Sequence, residues 1–280
     1  MHIVPFDNQN LAIIGTDHVA VPLVYFNIVK LLRGQKFTST VPGYETCIVP
    51  ATGTIDVATG DSVFTNIGTR RLNVWDGEPE GVYVSTGAPA VITCFSESAE
   101  IFIAGAKFDE ILPPFAIRSA DIDPVQYGSD DTKTHRKIKH ILGTRYHGRV
   151  GRLLVSELYT VGAGGWSGFP SHKHDTDRLP LESRHDEAYN FRFNPKHGSG
   201  LQMLQRDDGQ PGDAYHLVDG STVAIDTGYH PCCVLPGYEM YYFTILGGLS
   251  QRSLVQYFQP SHADQIETIP GIKDMIAKFK

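Results

Sequence analysis

The sequence predicts an all-β fold of sandwich or barrel type with one short helix at its C-terminal end. Three observations carry that expectation. Many short segments are rich in β-branched and aromatic residues, turn-forming Gly, Pro and Asp punctuate them closely, and a helical pattern is confined to the tail. The chain has 280 residues, 41% hydrophobic and 20% charged, with a formal charge of -7. That balance suits one large β domain or two modest ones with a real core, and excludes a disordered chain. No basic run is present, which argues against a nucleic-acid surface but leaves room for an anionic ligand held by one or two local cations.

The start, MHIVPFDNQNLAIIG, lacks a charged segment leading into an apolar core, so no secretory leader is expected. Residues 19–32 are apolar but shorter than a membrane span, and they run into Lys30 and Arg33. HVAVPLVYFNIV, TCIVPATGTIDVATG, GVYVSTG and AVITCFSESAEIFIAG then read as strands. Residues 113–143 are polar with few strand signals and read as a crossing connection. The expected division is therefore 1–125, a connection at 126–145, and 146–280. In the second half RLLVSELYTV, STVAIDTG, EMYYFTILGG and SLVQYFQP continue the strand texture. ETCIVPATG from Glu45 and EAYNFRFNP from Glu187 each follow a turn-prone stretch, a faint sign of internal duplication. Pro270 and Gly271 precede the helical tail IKDMIAKFK. Of the four cysteines, none forms a CxxC, and the adjacent Cys232 and Cys233 are poorly placed to pair, so reduced buried thiols in a cytoplasmic protein are expected.

The segment FPSHKHDTDRLPLESRHDEAYNF, 169–191, carries the chemistry. His172 and His174, one residue apart, face one side of a strand, because side chains alternate with a period of two. In GSTVAIDTGYHP, 220–231, Gly228 permits a tight turn that directs His230 inward. Imidazole and carboxylate together suit zinc, iron, manganese or nickel. Glu187 is the preferred carboxylate, since it opens the strand-like EAYNF. His185 faces the same side and competes with it, whereas Asp175 and Asp186 are expected to face solvent.

WSGFPSHKHDTDRLPLES, DEAYNF, GLQMLQRDD, GYHPCCVLPGY and MYYFTILGG together resemble the bacterial 5-deoxyglucuronate isomerases of inositol breakdown. These are two-barrel cupins related to the 4-deoxy-5-keto-uronate isomerases. The likeness is clearest over 151–247 and extends to ETCIVPATGTIDV, FTNIGTR and HRKIKHIL; the HKHD…LPxES…E and GYHP elements are its specific part. It implies a bicupin, two jelly-roll barrels with a short C-terminal helix. The second barrel would bind the metal; the first half has no histidine pair of its own and is expected to be a barrel without metal that supplies packing and a homo-oligomer surface. It also implies the ligand set His172, His174, Glu187 and His230 around one divalent ion. The sequence departs from the family at Asp226, at Tyr189–Asn190–Phe191, at His140, at Leu246–Gly247–Gly248 and beyond Gln259. None of these removes a ligand.

The resemblance implies an aldose–ketose isomerase acting on a small sugar acid. Such an enzyme moves a proton between adjacent carbons and stabilises charge on oxygen, the second task falling to the ion. Glu187 is tied up if it ligates the ion, so Tyr238, Tyr241, Tyr242 and His185 are the candidates for the first task, with metal-bound hydroxide as an alternative. A uronate carboxylate suits a guanidinium, which makes Arg206, beside Gln205, and Arg136 the binding candidates. Two other classes share the ligand set: an iron oxygenase, distinguished by oxygen consumption, and a sugar-binding cupin without turnover. Cupins host many activities, so fold alone does not choose.

Overall fold

A computed structural model describes residues 1–277 and places most of them in antiparallel β-sheets. The first half forms a six-stranded sheet, in the order Phe115–Ile117, Gly81–Val84, Tyr44–Thr52, Ser98–Lys107, Val24–Leu32 and Ala12–Ile14. A four-stranded sheet of Lys36–Ser39, Ala90–Cys94, Ile55–Thr59 and Ser62–Ile67 lies against it. The second half forms a seven-stranded sheet: His2–Ile3, Thr222–Ile225, His185–Asn194, Glu239–Gly248, Leu153–Thr160, Arg136–Leu142 and Asp123–Tyr127. It is faced by a four-stranded sheet of Gly165–Ser167, Cys232–Val234, Ser199–Leu204 and Asp213–Val218, while His172–Lys173 pairs separately with Tyr257–Phe258. Among the described residues no sheet closes on itself, so the halves are layered sheets. No helix among them is long and apolar enough to cross a membrane.

Strand alternation explains how these layers stack. Along Ser98–Lys107, Ile101 and Ile103 pack into the core of the first half, while Phe102, Ala104 and Ala106 face the seven-stranded sheet. Along Glu239–Gly248, Tyr241, Phe243 and Ile245 meet that same central layer, and Met240 and Tyr242 turn into the second half. Each large sheet is buried on both faces, which accounts for its near-continuous apolar runs.

The stretch expected as an irregular connection is built differently. Arg136–Leu142 is an inner strand, paired with both Asp123–Tyr127 and Leu153–Thr160. Its polar residues read as surface but are satisfied inside. Arg136 reaches Trp166 O and Tyr242 OH, Lys139 pairs with Glu78 at 3.1 Å, and His140 Nδ1 lies 3.0 Å from Ser156 Oγ. Buried polar groups are tolerated where they are hydrogen-bonded.

Buried acids fasten the two halves together. Glu45 accepts the backbone N–H groups of Gly151 at 2.8 Å and Leu153 at 2.7 Å, together with the Tyr83 hydroxyl at 2.6 Å. Arg70 donates to both oxygens of Glu157, at 2.7 and 2.6 Å. Asp186 is fully buried, contrary to the expectation that it faces solvent, because its Oδ2 takes the Leu23 N–H at 2.9 Å across the divide. The tail adds a 3-10 turn at Pro260–Glu267 and a helix at Ile272–Ala277; the last part of the expected helix, 278–280, lies outside the described residues. All four cysteines are buried free thiols.

Candidate metal centre

Three separate segments deliver the imidazoles and the carboxylate. His172 lies opposite Phe258 on its short strand, and His174 follows just beyond it. The His174 carbonyl accepts the His185 N–H at 2.8 Å, tying that turn to the strand that carries Glu187. On His185–Asn194 the odd positions face inward, so Glu187 shares its side with Tyr189, Phe191 and Phe193. Gly228 adopts φ 96°, and a Cβ there would sit 2.8 Å from Gln205 O. Only glycine fits this turn without strain, and the turn aims His230 at the other two rings.

One nitrogen each from His172, His174 and His230 lies within 4.8 Å of the others. Glu187 Oε2 is 3.1 Å from His174 Nε2 and 3.2 Å from His230 Nε2. Backbone carbonyls occupy the Nδ1 atoms: Gly228 O for His230 at 2.8 Å, His185 O for His174 at 3.0 Å, and Pro170 O for His172 at 3.4 Å. In a neutral ring such contacts place the proton on Nδ1 and leave Nε2 as a lone pair. His230 Nε2 is buried and not aligned for any hydrogen bond, although a carboxylate oxygen sits beside it. A lone pair facing a carboxylate in a dry interior is unfavourable unless a cation lies between them, so the donor set fits a divalent ion.

Electrostatics agree with this fit. Burial pushes the Glu187 carboxyl up, but the His174 and His230 imidazoles against it hold it well below the usual range. For His174, burial opposes protonation and Glu187 more than offsets it, so its pKa is raised. His172 is pushed down to about 3 by burial and by its two imidazole neighbours.

Two acids frame the centre. Asp175, expected to face solvent, turns inward: its Oδ2 accepts Thr227 Oγ1 and the Gly228 N–H, both at 2.8 Å. Glu182, from the LPLES segment, is fully buried and accepts the N–H groups of Asp175 at 2.8 Å and Thr176 at 3.1 Å, as well as Arg178 Nε at 2.9 Å. Sequence reasoning missed Glu182. Its position within a polar loop gives no signal of burial.

The other candidates are dispersed. His185 stands behind His174, with Nε2 3.1 Å from Arg252 O and Nδ1 beside Ser183; burial and His174 lower its pKa to about 4. Tyr242 points into the second half, bonded to Ser167 Oγ and to Arg136, with its ring 4.6 Å from that of Tyr189. Tyr189, which sequence reasoning treated only as a departure from pattern, lies with its ring tilted against His230, centroids 6.3 Å apart, and period-two spacing from Glu187 is the signal that finds it. Burial pushes the phenols of Tyr189 and Tyr242 well above their usual values, so both stay protonated. Tyr241 faces the central layer and donates to Glu157 at 2.9 Å. Tyr238 packs on His197 at 5.6 Å, at the Asn194 end of the strand pair, opposite the Glu187 end. Arg206 is half-exposed and pairs with Asp226 at 3.4 Å, and Gln205 Oε1 accepts Gln259 at 2.8 Å. Arg136 is fully buried without a carboxylate partner among the described residues, and its Nε has no hydrogen bond.

Comparison with known proteins gives a consistent set of relatives. A family model described as KduI/IolB matches residues 3–265. The 5-deoxy-glucuronate isomerase of Listeria monocytogenes serovar 1/2a is 34% identical over 230 residues, covering 81% of this chain and 82% of that one. That of Bacillus subtilis strain 168 is 32% identical over 250 residues, covering 89% and 90%. The crystal structure of an IolB-like protein from Salmonella typhimurium superposes with a TM-score of 0.79 at 28% identity, over 94% of this chain and 93% of that chain. Oxalate decarboxylase from Bacillus subtilis superposes at 0.59 with 11% identity, over 88% and 74%, a cupin-like likeness of fold alone.

Proposed function

This chain belongs to the KduI/IolB family, and on that premise we propose that it is a metal-dependent aldose–ketose isomerase acting on a deoxy-uronate sugar acid. The substrate would be 5-deoxy-glucuronate and the product 2-deoxy-5-keto-gluconate, in cytoplasmic inositol breakdown. The observation that carries this reading is the buried convergence of His172, His174 and His230 on the Glu187 carboxylate. In this reading the halves are the two cupin units, and the second one holds the ion. A zinc, manganese, iron or nickel ion held there by His172, His174, His230 and Glu187 would supply Lewis-acid stabilisation of charge developing on substrate oxygen.

The chain's own residues would bind the acid and move the proton. Arg136 offers the edge formed by Nε and the Nη that reaches Tyr242 OH at 3.3 Å, the edge that grips a carboxylate with two bonds. Tyr189 and Tyr242, kept protonated by burial, are donors toward substrate oxygen rather than bases. Of the acid–base candidates besides the ligand Glu187, Tyr242 lies on the side of the cluster and His185 stands behind His174, whereas Tyr238 and Tyr241 lie away from it.

The test is incubation of metal-analysed protein with 5-deoxy-glucuronate in deuterated water, following aldehyde loss and ketone gain by NMR. Conversion with deuterium in the product is expected, and His172→Ala and Glu187→Ala should each lose both metal and turnover while remaining folded. Full metal stoichiometry in both variants would overturn the ligand assignment. Oxygen consumption, or binding without conversion, would move the function to an oxygenase or a sugar-binding protein.

A further inference from the structure

We propose that Asp175 is a positioning residue that sets where His230 meets the cation; this rests on the metal-centre reading above. Asp175 directly follows one ligand, His174, and its carboxylate holds the turn that presents another. Oδ2 accepts Thr227 Oγ1 and the Gly228 N–H, each at 2.8 Å. The carbonyl of that same Gly228 takes Nδ1 of His230 at 2.8 Å. The path from Asp175 to the His230 ring is therefore two hydrogen bonds through a single glycine.

The carboxylate is itself fixed. Oδ1 accepts Thr176 Oγ1 at 2.7 Å and Lys173 Nζ, and Lys173 also reaches Glu182 Oε1 at 3.2 Å. Glu182 in turn accepts the backbone N–H groups of Asp175 and Thr176. Two acids and one lysine thus form a closed frame, with the Asp175 side chain only 12% exposed. Glycine in the left-handed region has no side chain to hold its turn, so the conformation at Gly228 depends on what its N–H meets. Gln205 pairs with Tyr229 in both directions at 2.8 Å on the far side of the turn, and among the described residues the hydrogen bonds that hold residues 227–228 to the 172–176 segment come from Asp175. Without Asp175, His230 Nε2 would drift relative to the other donors. Groups that orient ligands in this way typically contribute ~10–100-fold to metal affinity.

The test is a Co²⁺ titration of metal-stripped native protein, Asp175→Ala and Asp175→Asn, followed by visible ligand-field absorption. Thermal unfolding of each metal-free form is recorded alongside. Native protein should bind one equivalent. The alanine variant should bind ~10–100-fold more weakly, with a shifted band, while its metal-free form still unfolds cooperatively. Asparagine keeps one carbonyl oxygen for the Gly228 N–H, so its loss should be smaller, with a band shift in the same direction. Should alanine prevent folding, the asparagine variant carries the test alone. Native-like affinity and spectrum in the folded variants would overturn the role of Asp175. Failure of native protein to take up cobalt would instead bring down the metal-centre reading, and this inference with it.

Discussion

At the scale of single residues, a proton and a cation compete for the same place. With Nδ1 of His174 on a backbone carbonyl and Nε2 on Glu187, protonation of the metal-free imidazole is favoured, and its pKa is raised. An incoming ion must displace that proton. Metal affinity should therefore rise by about tenfold per pH unit below the His174 pKa and level off above it, with one proton released per ion. Titration with a pH indicator at several pH values checks this; pH-independent binding without proton release would contradict it. The histidines of the cluster were legible because an HxH and a Gly-Tyr-His-Pro turn leave marks in sequence. The fates of Asp175, Asp186 and Glu182 were not, because their partners, Gly228, Leu23 and their own loop's amides, are set by tertiary structure.

At the scale of elements, the strand His185–Asn194 and the turn 227–230 have opposite kinds of specification. The strand is fixed by alternation: Glu187, Tyr189, Phe191 and Phe193 inward, Asp186 and Ala188 toward the central layer. A one-residue slip would put Asp186 in place of the ligand. That periodicity is visible in the sequence, which is why Glu187 could be preferred. The turn is fixed by one backbone conformation, and Gly228→Ala should strain it at φ 96° and press on Gln205 O. A stability loss greater than ~1 kcal/mol and weakened metal binding are expected, read by urea denaturation and metal analysis. Unchanged values in both would show that the turn tolerates a side chain. The inner strand Arg136–Leu142 was misread for a third reason. Its charged letters imply solvent, yet Arg136, Lys139 and His140 find partners on Trp166, Glu78 and Ser156.

For the whole molecule, the contact between the halves is ionic as well as apolar. Phe26, Phe102 and Phe243 meet across it, and Arg70 and Glu157 lie buried in the same layer with Tyr159 and Tyr241 on the carboxylate. Glu157→Ala would strand the Arg70 charge and should cost about 3–5 kcal/mol, measured by denaturation at neutral pH. Burial raises the Glu157 pKa but Arg70 more than reverses this, leaving it below the ordinary value. Its contribution to stability is thus present above the unfolded pKa and lost as pH falls through the folded one. In Glu157→Ala, this part of the acid dependence should disappear; an unaltered slope would mean that other carboxylates govern acid unfolding.

The strand His2–Ile3 is paired not with its own half but with Thr222–Ile225, on the outer margin of the sheet that carries Glu187. Residues 2–3 thus reach over to shield the neighbour of the strand that carries Glu187. Severing the chain between the halves would not release two autonomous modules. The downstream fragment would bare an unshielded ladder of amides and carbonyls, open to annexation by another copy. The upstream fragment would trail an arm with nowhere to dock. Any gene fission at that point would have to keep both products together.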